Sequence, residues 1–405
     1  MKRIYSFIIL SLLATIPLFG AAKGPLKLKH AKPESVGMDS RMLALCDSVI
    51  ESAISLGDTP GAVVCIARND RIVFEKAYGN RAVLPETEPM SVETIFDLAS
   101  LSKCLGTTLS FMQLVEQKKV SLDDPVDKYL PEFEPWRDTT GAVERITVRQ
   151  LMTHTSGLAP YVDMAGYDEL YPVSTPDTLK KHICTLFTRR CPPGTRMIYS
   201  CPNFITLQYI LESVTGQKLC DYAQEHVFDM LHLENTFYLP TDREVPEELL
   251  ARIAPTELVD SVVLRGQVHD PTARLLNWGN SGNAGVFSTA GDIAVICSMI
   301  LNRGNFKGHR ILSPKSVRTM CAVQDPEFGR GLGWDVSSAY AGVKGDYRYD
   351  GNIICHTGYT GTSVVIDLDE HLAIIVLTNA AHPYDKGHMG KHRAAITNIV
   401  KASVK

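Results

Sequence analysis

A serine and a lysine stand three residues apart in FDLASLSKCLGTTLSFMQLVEQ, residues 96–117. Apolar residues with helical spacing follow Ser100, so Lys103 should lie on the same helix face, about 5–6 Å away between Cβ atoms. A free serine hydroxyl is a poor nucleophile, and a neighbouring base and a helix N-terminus can activate it. The pair is therefore a candidate for a serine nucleophile and its neighbouring base. The pattern alone leaves open an ordinary helix start with a lysine on its solvent-facing side.

Two later stretches add residues that such chemistry needs. In PGTRMIYSCPNF, residues 193–204, Tyr199 follows a Pro-Gly turn and precedes an apolar helix. In HTGYTGTS, residues 356–363, His356 begins the junction between two predicted strands.

The three stretches, in this order, resemble the S-x-x-K, Y-x-N and K-T-G motifs of the serine β-lactamase and penicillin-binding protein superfamily. The resemblance is to the class C β-lactamase-like branch, which contains esterases, D-amino-acid peptidases and acyltransferases. Three more stretches are similar to that family, LMTHTSGL, GNAGVFSTAGDIA and ILSPKSV. Together the similarities extend over about residues 35–400, and they imply a β-lactamase/transpeptidase-like fold.

The resemblance assigns a role to each motif residue. Ser100 would be acylated, and Lys103 would help to deprotonate it. Tyr199 would act first as a base and then as an acid toward the leaving group. The backbone N–H groups of Ser100 and Tyr359 would form the oxyanion hole. We also expect the cationic lysine to lower the proton affinity of the phenol.

Two motif positions depart from a true β-lactamase. Cys201 stands where the family has an asparagine, and a thiol is a weaker hydrogen-bond donor and acceptor than an amide. His356 stands where the family has a lysine, and a histidine is mostly neutral at pH 7. With Thr357 and Gly358, these are candidate substrate-binding residues. His356 is alternatively a structural hydrogen-bonding residue on a strand.

Other candidate contacts lie on predicted loops, which often carry recognition. Tyr161 is a further substrate-binding candidate, and with Tyr167 and Tyr171 it could floor an acyl or aryl pocket or simply pack the loop. His269, followed by Asp270, could line the cleft or brace its loop.

Three other histidines have less specific surroundings. His154 lies in a family stretch that shapes a turn, which favours a structural role. His388 and His392 are spaced for one helix face, but neither an HExxH motif nor a cysteine ligand accompanies them. We therefore predict no metal and no other cofactor.

The elements that must position these residues come from both ends of the chain. A helix is predicted over about residues 39–55, followed by the strands AVVCIA and IVFEKAYG around the turn RNDR. Three strands, GNIICHTG, TSVVIDLD and LAIIVLTN, precede a closing helix at about 388–402. The predicted class is α/β (α+β), an antiparallel sheet covered by helices with a large, mostly α insertion. The sheet part spans about 35–95 and 330–405, and the helical part about 96–329.

Composition bounds the class of protein. The 405 residues are 45% hydrophobic and 21% charged, as in soluble enzymes, and the formal net charge of -4 argues against a nucleic-acid partner. Residues 1–22 read as a secretory signal, which predicts a periplasmic or secreted catalytic domain over 23–405. No stretch indicates a stable membrane span. The ten cysteines form no compact framework, so buried free thiols are favoured and no pairing is assigned.

The leading functional hypothesis is a serine acyl-enzyme hydrolase, carboxylesterase-like and weak as a β-lactamase, acting on a small ester or amide. One alternative is an acyltransferase that passes the acyl group from an ester or thioester to an alcohol of a bulky polycyclic acceptor. A D-amino-acid peptidase and a non-catalytic cell-wall sensor are further alternatives. The acyl group, the acceptor and the oligomeric state stay open at this point.

Overall fold

The computed structural model describes residues 24–405, so the predicted signal segment lies outside the described residues. Most strands are short and a few are long. In chain order the strands are β1 (Lys29–His30), β2 (Gly61–Arg68), β3 (Arg71–Ala82), β4 (Glu88–Pro89), β5 (Phe96–Asp97), β6 (Trp136–Arg137), β7 (Val143–Glu144), β8 (Phe237–Tyr238), β9 (Leu258–Val259), β10 (Val262–Val263), β11 (Val286–Ser288), β12 (Asn305–Phe306), β13 (His309–Arg310), β14 (Ile353–Thr357), β15 (Ser363–Asp367) and β16 (Leu372–Thr378).

Helices lie at both ends of the chain and fill most of its middle. The α-helices are α1 (Ser40–Leu43), α2 (Leu45–Ser55), α3 (Leu109–Glu116), α4 (Val148–Met152), α5 (Met164–Leu170), α6 (Pro176–Lys181), α7 (Cys201–Thr215), α8 (Leu219–Ala223), α9 (Glu247–Leu250), α10 (Ala290–Leu301), α11 (Pro314–Cys321) and α12 (Gly390–Ala402). Wider π-helical turns occur at Lys103–Thr108, His182–Leu186, Gln224–Phe228 and Thr272–Leu276. Tighter 3-10 turns occur at Pro33–Val36, Val126–Lys128, Asp229–Leu231 and Ala341–Tyr347.

The large sheet is built from both chain ends, as predicted. Its strand order is β1-β3-β2-β16-β15-β14, with β4 paired to β3. All pairs are antiparallel except β1 with β3. Asn69 and Asp70 turn the β2–β3 hairpin with φ of 51° and 58°, the left-handed conformation that a two-residue hairpin turn favours. The predicted fold class is therefore confirmed.

The strands β2, β15 and β16 of the large sheet bury both of their faces. Along β2, Val64 and Ile66 face the side covered by α2 and α12, while Val63, Cys65 and Ala67 face the helical middle of the chain. The last strand, β16, alternates in the same way, and α10 packs against both β2 and β16. Because side chains in a strand point alternately to opposite faces, such continuously apolar strands indicate a sheet buried between two layers.

The structure refines two local predictions. The first helix breaks at Ala44 into α1 and α2. The closing helix begins at Gly390, two residues after its predicted start. The division into a sheet part and a helical part at residues 96 and 329 stays a prediction.

Disulfide bonds and membrane-spanning helices are both absent from residues 24–405. Within residues 24–405 all ten cysteines are free thiols, and Cys201 alone among them is not buried. In the same part of the chain, no helix combines the length and the hydropathy that crossing a bilayer requires.

Candidate active site

Ser100 lies at the end of a turn held by a buried carboxylate. Asp97, which is 2% exposed, accepts hydrogen bonds from the backbone N–H of Ala99 (2.7 Å) and of His269 (2.7 Å). Ala99 has φ of 46°, a left-handed conformation that costs energy in a residue with a Cβ. The bonds to Asp97 hold this conformation, and the chain then enters its helix with Ser100 partly exposed.

Lys103 reaches Ser100 as the spacing predicted. Its Nζ donates to Ser100 Oγ at 2.9 Å and to the backbone carbonyl of Asn283 at 2.8 Å. The side chain is completely buried. A buried cation is costly unless it is hydrogen-bonded, and the two acceptors meet that need while fixing the ammonium beside the hydroxyl. The solvent-facing alternative for Lys103 is therefore excluded.

The helix that carries this pair does not begin as an ordinary α-helix. Residues Lys103–Thr108 form a π-helical turn before α3, and Thr108 Oγ1 donates to the carbonyl of Lys103 at 2.7 Å. A π-helical turn is wider than an α-helical one and occurs frequently at functional sites. Sequence spacing alone predicted a regular helix here, so this detail of the prediction was wrong.

The ring of Tyr199 is surrounded by other aromatic rings and lies close to Lys103. Its ring centroid lies 4.4 Å from that of His154, 5.2 Å from that of Tyr340 and 6.1 Å from that of His356. Lys103 Nζ lies 5.2 Å from the same ring centroid. The side-chain oxygen interacts with Ser100 and Lys103, so the three predicted catalytic residues come together.

The protonation of this group is set by burial and by mutual charge. Burial raises the pKa of Tyr199, and the positive charge of Lys103 offsets only part of that rise. Burial lowers the pKa of Lys103, but the negative charges that Cys201 and Tyr199 can carry raise it by more. The expected effect of the lysine on the phenol is present, yet the net direction for Tyr199 is upward. At neutral pH the pair therefore keeps both protons in the resting state.

The ring of His154 packs against the ring of Tyr199, a contact that the sequence did not predict. It is fully buried with φ of 59°, and its Nδ1 accepts hydrogen bonds from the Ser200 N–H and from Asn203 Nδ2, both at 3.1 Å. Burial lowers the pKa of His154 well below its usual value, so the ring is neutral. A neutral ring with no proton on Nδ1 accepts these two bonds and holds the start of α7 in place. This agrees with the predicted structural role.

Cys201 begins α7 and borders Lys103. Its backbone N–H donates to the carbonyl of Pro160 at 2.9 Å, and its thiol interacts with the Asn283 side chain and with Lys103. Burial raises the pKa of the Cys201 thiol, with a smaller opposing effect from Lys103. A neutral thiol is a weak hydrogen-bonding group, so it does not replace the hydrogen bonds that the asparagine of the family motif would make.

The turn between β14 and β15 packs directly on the segment that precedes Ser100. Thr360 Oγ1 donates to the carbonyl of Asp97 at 2.9 Å, and Thr362 Oγ1 to that of Leu98 at 3.1 Å. A Cβ at Gly358 would lie 2.4 Å from the Leu98 carbonyl oxygen, so this close approach requires glycine. Thr357, which precedes it, is partly exposed at the end of β14.

The two N–H groups predicted for the oxyanion hole are available. Ser100 and Tyr359 flank the contact between this turn and residues 97 and 98. Among the residues that the structure describes, neither backbone N–H donates to a protein acceptor. Unpaired donors beside a nucleophile are what an oxyanion hole needs, because they stabilise charge that appears only during the reaction.

His356 is a buried and neutral residue. Its side chain is 2% exposed, and Nδ1 donates to the carbonyl of Thr357 at 2.9 Å. Burial lowers the pKa of His356 to about 3, and the nearby cations Arg330 and Lys103 act in the same direction. The residue thus supplies no positive charge where a β-lactamase has its lysine.

Three exposed tyrosines lie near Tyr199 and the turn after β14. Tyr161, Tyr340 and Tyr359 are 70%, 50% and 67% exposed, respectively. His269 is 7% exposed and lies beneath this rim, with its ring stacked 5.4 Å from Tyr359. Asp270 accepts a hydrogen bond from the Ala273 N–H at 2.7 Å, so the bracing alternative fits this loop better than direct contact.

Other candidates of the sequence do not reach the serine. Tyr167 is 1% exposed, and its ring contacts those of Tyr171 and His182. His392 Nε2 is 2.7 Å from Asp58 Oδ2, and His388 is exposed. Across residues 24–405, no cluster of three histidine, cysteine or acidic side chains has a geometry that could hold a metal ion.

Comparison with known proteins adds independent information. The family model described as "Beta-lactamase" matches residues 47–398. A protein of Escherichia coli (strain K12) with the name "Putative D-alanyl-D-alanine carboxypeptidase" is 30% identical over 414 residues, covering 94% of this chain and 92% of the relative. Its counterpart in Escherichia coli O157:H7 is 31% identical with the same coverage.

Two solved structures show a similar fold. One is "EstCE1, a hydrolase with promiscuous acyltransferase activity", with a TM-score of 0.70 and 24% identity over 89% of this chain and 98% of the other. Another is Simvastatin Synthase (LovD) from Aspergillus terreus, with a TM-score of 0.67 and 20% identity over 90% and 99% of the two chains. At these identities the likeness is one of fold.

Proposed function

The chain belongs to the beta-lactamase family, and from that premise we propose that it is a serine hydrolase that forms an acyl-enzyme on Ser100. The observation that carries the proposal is the hydrogen bond of 2.9 Å from the buried Lys103 ammonium to Ser100 Oγ. A structural lysine has no need to be desolvated beside a serine hydroxyl, whereas a serine nucleophile needs a basic group within reach, and the Lys103–Tyr199 pair becomes one when it has lost a proton.

Each step of the proposed reaction uses atoms already described. When the Lys103–Tyr199 pair has lost one proton, it takes the proton of Ser100 Oγ as that oxygen attacks the substrate carbonyl carbon. Negative charge then develops on the carbonyl oxygen, facing the N–H groups of Ser100 and Tyr359. Collapse breaks the bond to the leaving oxygen, which takes the proton back from Tyr199. Water repeats the sequence on the acyl-enzyme and releases the acid.

The preferred substrate follows from the residues that replace the family's polar contacts. A β-lactam presents a carboxylate and an amide, but here His356 is neutral and Cys201 carries a weakly bonding thiol. A charge-assisted hydrogen bond contributes about 1.5–3 kcal/mol. Its loss corresponds to roughly tenfold to a hundredfold in specificity, at about 1.4 kcal/mol per decade. A simple ester needs neither contact, so we propose carboxylesterase-like activity with weak β-lactamase activity.

We expect kcat/KM for p-nitrophenyl butyrate to exceed that for a chromogenic cephalosporin by at least about a hundredfold, because two polar contacts are missing. Steady-state kinetics of the wild-type chain on both substrates measures the ratio. A cephalosporin value equal to or above the ester value would contradict the proposed preference.

A matched variant tests the physical reason. The double substitution Cys201→Asn with His356→Lys restores both polar groups of the family motif. It should raise the cephalosporin value while leaving the ester value unchanged or lower. Cephalosporin turnover that stays the same in a folded variant would show that these two positions do not set the preference.

D-Alanyl-D-alanine carboxypeptidase activity is a second candidate, favoured by the name of the Escherichia coli relative and by Arg393. The Arg393 guanidinium donates to the carbonyls of Thr362 (2.9 Å) and Gly358 (3.4 Å), beside the proposed oxyanion turn. Burial lowers the pKa of Arg393 to about 10, so the group stays cationic at pH 7. It could attract a peptide carboxylate that His356 does not.

A peptide ending in D-Ala-D-Ala separates the two candidates. Release of D-alanine with a kcat/KM above that for the ester would favour the carboxypeptidase. Loss of that release in Arg393→Gln would support Arg393 as the group that attracts the peptide carboxylate. Ester turnover should survive the same substitution because an uncharged ester has no carboxylate to bind.

We also propose export of the mature chain, on the basis of residues 1–22 alone.

A further inference from the structure

A single buried carboxylate joins three segments of the proposed active site. Asp97 Oδ1 accepts the backbone N–H of Ala99, which directly precedes Ser100, at 2.7 Å. Asp97 Oδ2 accepts the backbone N–H of His269, also at 2.7 Å. The backbone carbonyl of the same residue accepts Thr360 Oγ1 at 2.9 Å, from the turn after β14. Asp97 therefore links the segment of the nucleophile, the loop of His269 and the turn that carries the second predicted oxyanion donor.

The bond to Ala99 controls how the chain enters the nucleophile. The φ of Ala99 is 46°, a conformation that costs energy in a residue with a Cβ, whereas glycine adopts it freely. Ala99 is 3% exposed, so water can hardly replace Asp97 as the acceptor of its N–H. The direction in which the chain leaves Ala99 determines where Ser100 places its N–H. The first donor of the oxyanion hole thus depends on Asp97.

The second donor, the N–H of Tyr359, lies in a residue whose ring rests on His269. The two rings are nearly parallel, with centroids 5.4 Å apart and an angle of 22° between their planes. His269 is 7% exposed and Tyr359 is 67% exposed, so a buried ring supports an exposed one. Among the residues that the structure describes, His269 Nδ1 is buried without a hydrogen-bond partner, which indicates that packing is what this edge of the ring supplies.

The backbone that carries this imidazole is held on both sides. Its N–H donates to Asp97, and Arg274 Nη1 donates to the carbonyls of Val268 at 2.6 Å and of His269 at 2.7 Å. Hydrogen bonds with a charged partner are stronger than those between neutral groups. These contacts fix the position from which the imidazole reaches Tyr359.

The other end of the Tyr359 side chain is also held. Its hydroxyl donates to Asp385 Oδ2 at 2.7 Å, and this bond is the main reason why the pKa of the phenol is raised to about 12. The ring is therefore fixed on one face by His269 and at its hydroxyl by Asp385. A side chain held in this way limits how far its own backbone N–H can turn, which is the preorganisation that an oxyanion hole needs.

We propose that Asp97 and His269 are positioning residues that hold the two donors of the oxyanion hole in place. Asp97 acts on the N–H of Ser100 through Ala99. It acts on the N–H of Tyr359 through the imidazole of His269. The inference rests on the proposed acyl-enzyme reaction, because it assigns these residues a task within that reaction. Neither residue has to touch the substrate.

Removal of the imidazole tests the second contact. His269→Ala should lower kcat for p-nitrophenyl butyrate about tenfold or more, part of the 10²–10³-fold effect of losing an oxyanion-hole donor, while KM changes by less than about threefold. His269→Phe keeps a ring for the stack and should recover most of kcat. An unchanged kcat in His269→Ala, or a loss in His269→Phe as large as in His269→Ala, would overturn the role of the ring.

A transition-state analogue gives a readout that a merely structural role would not move. n-Propylboronic acid adds to the serine oxygen and forms a tetrahedral anion that resembles the reaction intermediate. Because such an analogue uses the oxyanion hole, its inhibition constant should rise in His269→Ala by the same factor by which kcat/KM falls. An inhibition constant equal to that of the wild type, beside a reduced kcat/KM, would contradict the proposal.

Asp97→Asn tests the carboxylate itself. An amide has one oxygen, so it can accept only one of the two N–H bonds and presents its NH₂ group to the other N–H. We expect kcat to fall about tenfold or more. Adding Ala99→Gly should recover part of this loss, because glycine adopts the left-handed φ without cost. Absence of any recovery would show that Asp97 does not act through Ala99.

A matched control distinguishes positioning from general destabilisation. Asp292 is 6% exposed and accepts the N–H of Asn235 at 2.9 Å, away from the proposed catalytic residues. Asp292→Asn should therefore keep kcat within about threefold of the wild type. A loss of kcat as large as in Asp97→Asn, with an equal fall in melting temperature, would refute the positioning role of Asp97. The two His269 variants decide the question if Asp97→Asn does not fold.

The wild-type chain separates this inference from the proposed function. A wild type without turnover that depends on Ser100 would overturn the proposed function and this inference with it. Normal wild-type turnover that is lost in Ser100→Ala, together with an unaltered His269→Ala chain, would overturn the inference alone.

Discussion

Replacing Ser100 by alanine should reduce the turnover of p-nitrophenyl butyrate by at least about 10⁴-fold, the size of effect seen when a serine nucleophile is removed. The reason is that Ser100 Oγ is the atom that lies 2.9 Å from the buried Lys103 ammonium, next to the segment on which the turn after β14 packs. Without that oxygen no acyl-enzyme can form. Steady-state kinetics on the purified variant gives the factor.

The fold should survive this change. Ser100 is partly exposed, and removal of one hydroxyl near a helix start costs about 1 kcal/mol at most. Ser102→Ala is the matched control in the same turn. Ser102 Oγ accepts the hydrogen bond of the Val286 N–H at 3.0 Å in a fully buried position, so its loss should destabilise the chain by about 1–3 kcal/mol yet leave turnover within tenfold. Activity of Ser100→Ala within tenfold of the wild type would remove Ser100 from the mechanism.

Lys103 and Tyr199 should behave as one proton-transfer unit. Lys103→Met, which keeps the volume of the side chain, and Tyr199→Phe should each lower kcat/KM by about 10³-fold or more. The double variant should lose little beyond the larger single effect, because residues that act together give non-additive losses. The two side chains are close enough for each to change the other's pKa, which is the physical basis of this expectation.

The pH dependence gives a second measure of the same unit. Burial raises the pKa of Tyr199, and charge interactions raise that of Lys103, so the active form with one proton fewer is a minor species at neutral pH. Activity should therefore rise with pH through the neutral and mildly alkaline range and fall as the pH is lowered. This dependence should be absent from the residual activity of both single variants. Fully multiplicative losses together with an unchanged pH profile in the variants would show that the two groups act independently.

Much of the sheet could be predicted because its signals are local. The apolar runs of β2, β14, β15 and β16 are long enough to identify as strands, and the Asn69-Asp70 turn fixes one hairpin. The Ser100–Lys103 contact was predictable for the same reason, since three residues along a helix determine which side chains meet.

The supports of the site could not be predicted because their partners are distant in sequence. Asp97 holds the backbone of His269, 172 residues away, and Lys103 bonds the carbonyl of Asn283, 180 residues away. The contact between the His154 and Tyr199 rings depends on a turn and a helix start that meet only in the folded chain.

Burial was equally invisible in the sequence, and it decides the charges of the site. His356 was expected to be mostly neutral from its ordinary pKa, and its enclosure makes it neutral at any pH near 7. For Tyr199, burial outweighs the neighbouring lysine, which reverses the net direction expected from the charge alone. The π-helical turn after Ser102 also had no recognisable signal in the residue types.

The central claim is that an acyl group becomes covalently attached to Ser100. Intact-mass spectrometry of the wild-type chain, quenched in acid during turnover of a panel of p-nitrophenyl esters, tests it most directly. The account predicts a mass increase equal to the acyl group, located by peptide mapping on Ser100 and absent from the Ser100→Ala chain. Turnover without any adduct, or an adduct mapped to Cys201 or another residue, would contradict it.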